Sequence, residues 1–536
     1  MNTLPSSLEI LEARIAPAML GGAVAPLFEI SADGKTATYT DFEGDLVSLT
    51  VSKSRLRVEN FLLTADPATG RVQVDLLDLS AANFGQKFSG TDITVSAADP
   101  AAFADLAAIH ARGIDLGRVS VADGDLGQID AGDTDLSTPA LALLRAAQMG
   151  FYGSAGQIAG QDTVSKIRGP VTAIDVGEFK NAFLDVRGGG IGFISLGSID
   201  ATEEATAGNG AIRAAGVIGP VTVRGDIAGG AGDFSGVIWS RVKIGAITVA
   251  GSLLGGDGFD SGAIFAASPD SANPALAKKI GPVAIHGSIV GGAGENSGTL
   301  YADSGVKAVA IAGDVTGGAG HTSGSIVSGR GFSSIAIAGS LASGAGPSSG
   351  SLIAIDGDAA SIAIGRQILA GNFADSGIFI GGSLGALSFQ SAPGGGGNAT
   401  EIRVLFDIGS LHVFGDLNDV FVRAGSDLAG IAATANATIG TVLIAGNFTG
   451  GGLSAGAAPG PDSFTFTADD VLVSPDSFPD FLSAIGTVLV GGTFTPLAVE
   501  AESLGSIVIA GVPLALQPGA HNDNFLAGSS VIKEIV

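Results

Sequence analysis

The sequence predicts an all-β fold, a right-handed parallel β-helix with three short strands in each coil of about 26 residues, flanked by a small β-rich N-terminal segment and terminal caps. Three observations carry this expectation. Six Ser-Gly pairs begin at Ser235, Ser261, Ser297, Ser323, Ser349 and Ser376, with spacings of 26, 36, 26, 26 and 27. A glycine closing the preceding apolar stretch falls at Gly225, Gly251, Gly287, Gly313, Gly339 and Gly365, with spacings of 26, 36, 26, 26 and 26. Two markers therefore share one period and one ten-residue insertion. Between them, apolar residues alternate with period two, as in Val221/Val223, Ile247/Val249, Val283/Ile285, Val309/Ile311, Ile335/Ile337 and Ile362/Ile364. That is a strand period, and β-branched side chains suit it.

Taken from the N-terminus, residues 1–23 read as a tail with a targeting-like segment. A secretory signal needs a basic start and an apolar run, and residues 1–11 hold no Lys or Arg. Leu11-Glu12-Ala13-Arg14, followed by Ile15-Ala16-Pro17-Ala18, resembles the Leu-Glu-Pro-Arg-type N-terminal segment of large bacterial surface or exported β-solenoid proteins, with Ala13 where that pattern has proline. The resemblance implies export. Residues 24–75 alternate well, as in Leu46-Val47-Ser48-Leu49-Thr50-Val51, and read as a β-rich N-terminal cap. Within it, Asp41-Phe42-Glu43-Gly44-Asp45 reads as a solvated acidic turn.

Residues 76–511 read as the β-helix, with roughly a dozen coils between 115 and 512. Two Ala- and Leu-rich stretches, 99–111 and 139–149, are expected to be short helices, the second with Ser137 or Thr138 as N-cap. Glycine-rich steps such as Gly255-Gly256-Asp257-Gly258 and Gly317-Gly318-Ala319-Gly320 are expected to turn the chain through φ > 0. A leucine-rich repeat is the rival reading, and it fails because the glycine-rich half of the unit offers no helical side. Three insertions, 267–279, 390–400 and 451–483, leave the pattern, and residues 512–536 read as a C-terminal cap.

Composition narrows the function. The chain has 26 Lys+Arg against 52 Asp+Glu, a formal net charge of −26, and no cysteine. Disulfides and thiolate metal sites are excluded. So acidic a chain is not expected to hold nucleic acid by general electrostatics. No apolar run is long enough for a transmembrane helix.

The chemical candidates are few. Gly255-Gly256-Asp257-Gly258-Phe259-Asp260 resembles a calcium-bound β-roll motif, but the equivalent positions in the other copies are Phe234, Asn296, Thr322 and Ser348. A structural turn is the expectation, with no catalytic, cofactor or metal residue assigned. The 451–483 insertion has the richest mix of aromatic and acidic residues, and Phe464, Phe466, Asp469, Asp470, Phe478 and Phe481 form the candidate binding loop. The outward row Thr222, Thr248, Ala284, Ala310, Ala336, Ala363, continued by Leu443, Leu489 and Val508, is too apolar for a solvated sheet and is expected to be covered by that loop or by a partner.

The expected function is a non-catalytic, glycine-rich, acidic solenoid, extracellular or on a bacterial cell surface, structural or adhesin-like or part of an envelope layer. Glycans, envelope components or a second copy are its expected partners. The alternative is a polysaccharide lyase or hydrolase, which would show carboxylates and bases gathered on one side of several consecutive coils.

Overall fold

In the computed structural model the protein is all-β: strand makes up 54 % of the chain and helix 2 %, in a large, mostly parallel sheet. The structure describes residues 27–535 except 100, 151–163, 203–207, 268–277, 372–375, 395–398, 429–433, 435, 459–465, 467–469, 474–481, 518 and 528–529. The chain forms two compact units, residues 1–226 with 235–245 and residues 227–234 with 246–536. No helix among the described residues is long and apolar enough to cross a membrane.

The first unit starts antiparallel. Strands Phe28–Ile30, Thr36–Thr40, Leu46–Val51 and Thr91–Ala97 pair in that order, burying Val47, Leu49 and Val51 on one face. At Thr91–Ala97 the pairing turns parallel. Ile93 then stacks on Val119, Val119 on Leu144, Leu144 on Ile174, Ile174 on Ile194 and Ile194 on Val221, all buried. A second buried column begins with Leu77, Ile109 and Ile129. It continues through the buried Ser165 to Leu184, Ile212 and Ile238, while Ala131, Ile167 and Val186 stack two residues along the same strands.

The two stretches expected to be helices are strands, Leu106–Arg112 and Leu141–Met149. In the latter, Leu144 and Ala146 fill the column between Val119/Val121 and Ile174/Val176. Helix propensity is worth only a few tenths of a kcal/mol per residue. Burying a Leu side chain contributes roughly 1.5–3 kcal/mol. Packing wins. Ser137 caps no helix: its N–H and hydroxyl both donate to Asp135 Oδ1, at 2.9 and 2.6 Å.

In the second unit the repeat is regular. Ile247, Val283, Val309, Ile335, Ile362, Leu387, Leu411, Val442, Val488 and Ile507 form one column of register partners. A second runs from Ile264 through Leu300, Ile326, Leu352, Ile378, Ile402, Val422, Leu453 and Val499 to Ile532. Ile247 and Val283 are direct partners although 36 residues separate them, so the 267–279 insertion leaves the register intact. Antiparallel pairs end both stacks, Ser503–Ile509 with Val512–Pro513 and Asn524–Ala527 with Ser530–Glu534.

The Ser-Gly marker has a physical basis. Ser261, Ser297, Ser323 and Ser349 are fully buried, and each hydroxyl accepts the N–H of the glycine five residues earlier at 2.9–3.0 Å. Ser323 and Ser349 also donate to the carbonyls of Gly320 and Gly346. The glycine after each serine has φ of +60 to +66, and a Cβ on Gly262 would lie 1.9 Å from the Leu254 carbonyl oxygen. The glycine-rich steps, by contrast, do not use positive φ as expected. Gly256, Gly292, Gly318 and Gly344 are glycine because a Cβ there would come within 2.1–2.2 Å of the glycine carbonyl one repeat earlier. The left-handed turn residue is instead the one before serine: Phe234, Asp260, Asn296, Thr322 and Ser348 have φ of 52 to 56.

Candidate functional site

The first unit gathers its charge on one strand face. Along Leu106–Arg112, Leu116–Gly132, Val164–Arg168, Phe183–Arg187 and Ala211–Ala214, buried apolar residues alternate with outward ones. Register places the outward residues in rows. His110 pairs with Asp130, Lys166 with Asp185, Asp185 with Arg213 and Arg213 with Trp239, while the Ile167–Ala131 pairing sets Lys166 beside Asp130. Two residues farther along the same strands stand Arg112, Gly132, Arg168 and Arg187.

Two buried carboxylates hold this row. Asp130 accepts from Arg112 Nη2 at 2.9 Å and from the Lys166 N–H at 2.9 Å, and its Oδ2 lies 3.4 Å from His110 Nε2. Asp185 accepts from Arg187 Nε at 2.5 Å and from Arg213 through Nε and Nη2 at 2.9 and 2.8 Å. Arg213 also lies over the Phe183 ring at 5.2 Å and the Trp239 ring at 5.6 Å. Burial raises both carboxyls, yet the hydrogen bonds from His110, Lys166 and Arg112 to Asp130, and from Arg213 and Arg187 to Asp185, outweigh it and hold both below the usual value. The carboxylates stay ionised while the guanidiniums face outward: Arg112 is 68 % and Arg187 55 % exposed. Arg168 is exposed and forms no ion pair among the described residues. Beside this end lies a groove of about 540 Å³, lined by Ser80, Gln86, His110, Arg112, Thr134 and Arg168 among others.

The candidate loop behaves differently. Phe464, Asp469, Phe478 and Phe481 lie outside the described residues. Phe466 and Asp470 are buried against the second unit. Phe466 stacks on Phe421 with ring centroids 4.7 Å apart and lies 5.1 Å from the Arg423 guanidinium. Beneath it, register sets Phe379, Arg403, Arg423, Ser454, Glu500 and Lys533 in one row. Arg403 and Arg423 share Glu401, at 3.4 and 3.5 Å. Burial lowers the pKa of the Arg423 guanidinium, whose Nε has no hydrogen-bond partner among the described residues. Glu500 is fully buried, neither carboxylate oxygen has a hydrogen-bond partner among the described residues, and burial together with the Asp470 charge pushes its carboxyl well up.

The loop's described residues therefore do not cover the apolar outward row. Ala284, Ala310, Ala336, Ala363, Ser388, His412, Leu443, Leu489 and Val508 do form one column. Leu489 and Phe414 beside it are 38 % and 52 % exposed. Asp260, the residue of the calcium-like motif, accepts from Asn296 Nδ2 at 3.0 Å, and burial pushes its carboxyl up to about 6. Among the described residues no group of three or more His, Asp or Glu is placed to hold a metal ion. The acidic turn at 41–45 closes on itself, Gly44 and Asp45 N–H donating to Asp41 Oδ1.

The charged row was not foreseen. Its partners are 18, 36 and 28 residues apart, for Arg112–Asp130, Asp130–Lys166 and Asp185–Arg213, so no local motif marks it. One signal was present: Lys and Arg recur through the first half of the chain and are absent between Ser426 and Ile532. Compared with protein-family models, curated proteins and solved structures, the chain matches none.

Proposed function

We propose that the protein is a non-catalytic β-solenoid of the bacterial cell surface or extracellular space, structural or adhesin-like, in which the repeats wind as a right-handed parallel β-helix. The single observation that supports this best is the in-register stacking of equivalent residues, with Val283 on Val309 on Ile335. Such a stack builds a rigid scaffold from units that could not bury a core alone. The antiparallel pairs Val508–Pro513 and Leu526–Val531 fit a chain that blunts its own strand edges. The Leu-Glu-Ala-Arg segment, outside the described residues, favours export. Shaving intact producer cells with protease should remove the protein, and retention in the cytoplasm would overturn the reading.

A polysaccharide-degrading enzyme is the second reading, favoured by His110, Asp130 and Arg112 lying together on one face. A glycosidase needs a carboxyl kept protonated as general acid. Asp130 and Asp185 are held the other way, ionised and pinned by arginine. The geometry favours holding a ligand over cleaving it. Release of unsaturated or reducing ends from an acidic polysaccharide would reverse that preference.

A further inference from the structure

We infer that the charged face of the first unit is a binding site for a linear, carboxylated polysaccharide, with Arg112, Arg168, Arg187 and Arg213 as its anion contacts and Trp239 as a sugar platform. This rests on the surface reading above and names the ligand class it lacks.

Preorganisation is the main argument. Asp130 and Asp185 are buried and hydrogen-bonded, so they serve as anchors that fix the guanidiniums before any ligand arrives. Fixing side chains in advance lowers the ordering cost of binding. Arg112 and Arg187 each spend one nitrogen on their anchor in the contacts described and remain more than half exposed, while Arg168 has no ionic partner among the described residues. Guanidinium donors in this state suit a planar, bidentate acceptor such as a carboxylate.

Geometry selects an extended polymer. Arg168, Arg187 and Arg213 sit on three successive parallel strands, about 4.8 Å apart, and Arg112 stands one strand beyond Gly132 from Arg168, so a chain lying along the stacking direction meets a run of charged steps. At one end of the row Ser80, Gln86 and Thr134 line the groove with hydroxyl and amide groups. These suit sugar hydroxyls. At the other end Phe183 and the half-buried Trp239 flank Arg213 and offer apolar faces with a polar rim.

The net charge of −26 argues against polymers charged more heavily than one carboxylate per sugar, such as sulfated glycans and nucleic acid. Long-range attraction cannot assemble such a complex, so recognition depends on short-range contacts with this row.

The test is binding of polygalacturonate to the full chain at low salt, beside neutral dextran, dextran sulfate and a single-stranded oligonucleotide. Polygalacturonate should bind best and dextran not at all, with affinity falling as salt rises. Arg168→Glu should weaken binding at least tenfold, and Trp239→Ala several-fold, with melting temperatures unchanged for the first. Because Arg168 anchors no buried carboxylate, misfolding does not confound that variant. Unchanged binding by Arg168→Glu, absence of binding by the native chain, or preference for dextran sulfate or the oligonucleotide would each overturn the inference. Failure here with the protein still on the cell surface leaves the surface reading intact; a cytoplasmic protein that binds polygalacturonate does the reverse.

Discussion

Two rows of arginine occupy outward strand positions, one in each unit, and they have opposite fates. In the first unit, Arg112 and Arg187 reach solvent while the carboxylates that anchor them are buried. In the second, Arg403 is itself buried and Arg423 is only 15 % exposed, Phe466 lies against Arg423, and Glu401 is shared between them. A guanidinium on a buried anchor presents donors to whatever approaches. One under an aromatic cover is closed off from such an approach. The same residue type at the same kind of position thus makes a ligand face in one unit and an internal fastening in the other.

The largest contrast should appear on removing the arginines. Arg423→Ala removes one of the two guanidiniums on Glu401 and empties the space beneath Phe466, and should cost about 3 kcal/mol in urea unfolding. Arg168→Ala should stay within about 0.5 kcal/mol. Equal losses would erase the distinction between the rows. Phe466→Ala removes the Phe421 stack and the cover over Arg423, and should cost about 3 kcal/mol by the same measurement.

Acid and base should then separate the rows by sign. Asp130 and Asp185 have lowered pKa values in the folded state, so their contribution is present above pH about 4 and is lost as pH falls through the folded values. Glu500 has a raised value, so its contribution is full below the ordinary glutamate range and declines as pH rises. Glu500→Gln should therefore raise the melting temperature at pH 8 and leave it nearly unchanged at pH 4. A gain that is larger at pH 4 would refute the assignment. Asp260→Asn should give the smallest effect of the same sign, its pH dependence confined below and around pH 6, and Asn296 shows that asparagine accepts the left-handed turn one repeat later.

Much of the scaffold was legible because two periods coincide in the sequence. Val283, Val309 and Ile335 alternate along each strand and recur every 26 residues, so both their face and their stacking partner can be read off. Residues 141–149 defeated the reading because Ala and Leu favour helix locally, and only the neighbouring strands decide otherwise. Glycine misled in a subtler way. Its abundance suggested turns with φ > 0, whereas Gly318 is needed because Gly292 lies against it one repeat earlier. The candidate loop was legible as sticky, but not the face it adheres to, since Phe421 and Arg423 lie more than forty positions from Phe466 in sequence, roughly the length of one or two repeats. The arginine row was least legible of all. It comes from the irregular half, where spacing varies from strand to strand and only the sheet brings the pieces side by side.

The partnership of Ile247 with Val283 across a longer interval has a consequence for how such a molecule can change. Material added at a corner leaves the stack alone, and a whole extra repeat would slot in without disturbing its neighbours. A single residue added inside a strand would turn its buried side chains to the water and its polar ones to the interior. Length in this chain is therefore free to vary at corners or in whole steps, and rigid everywhere between.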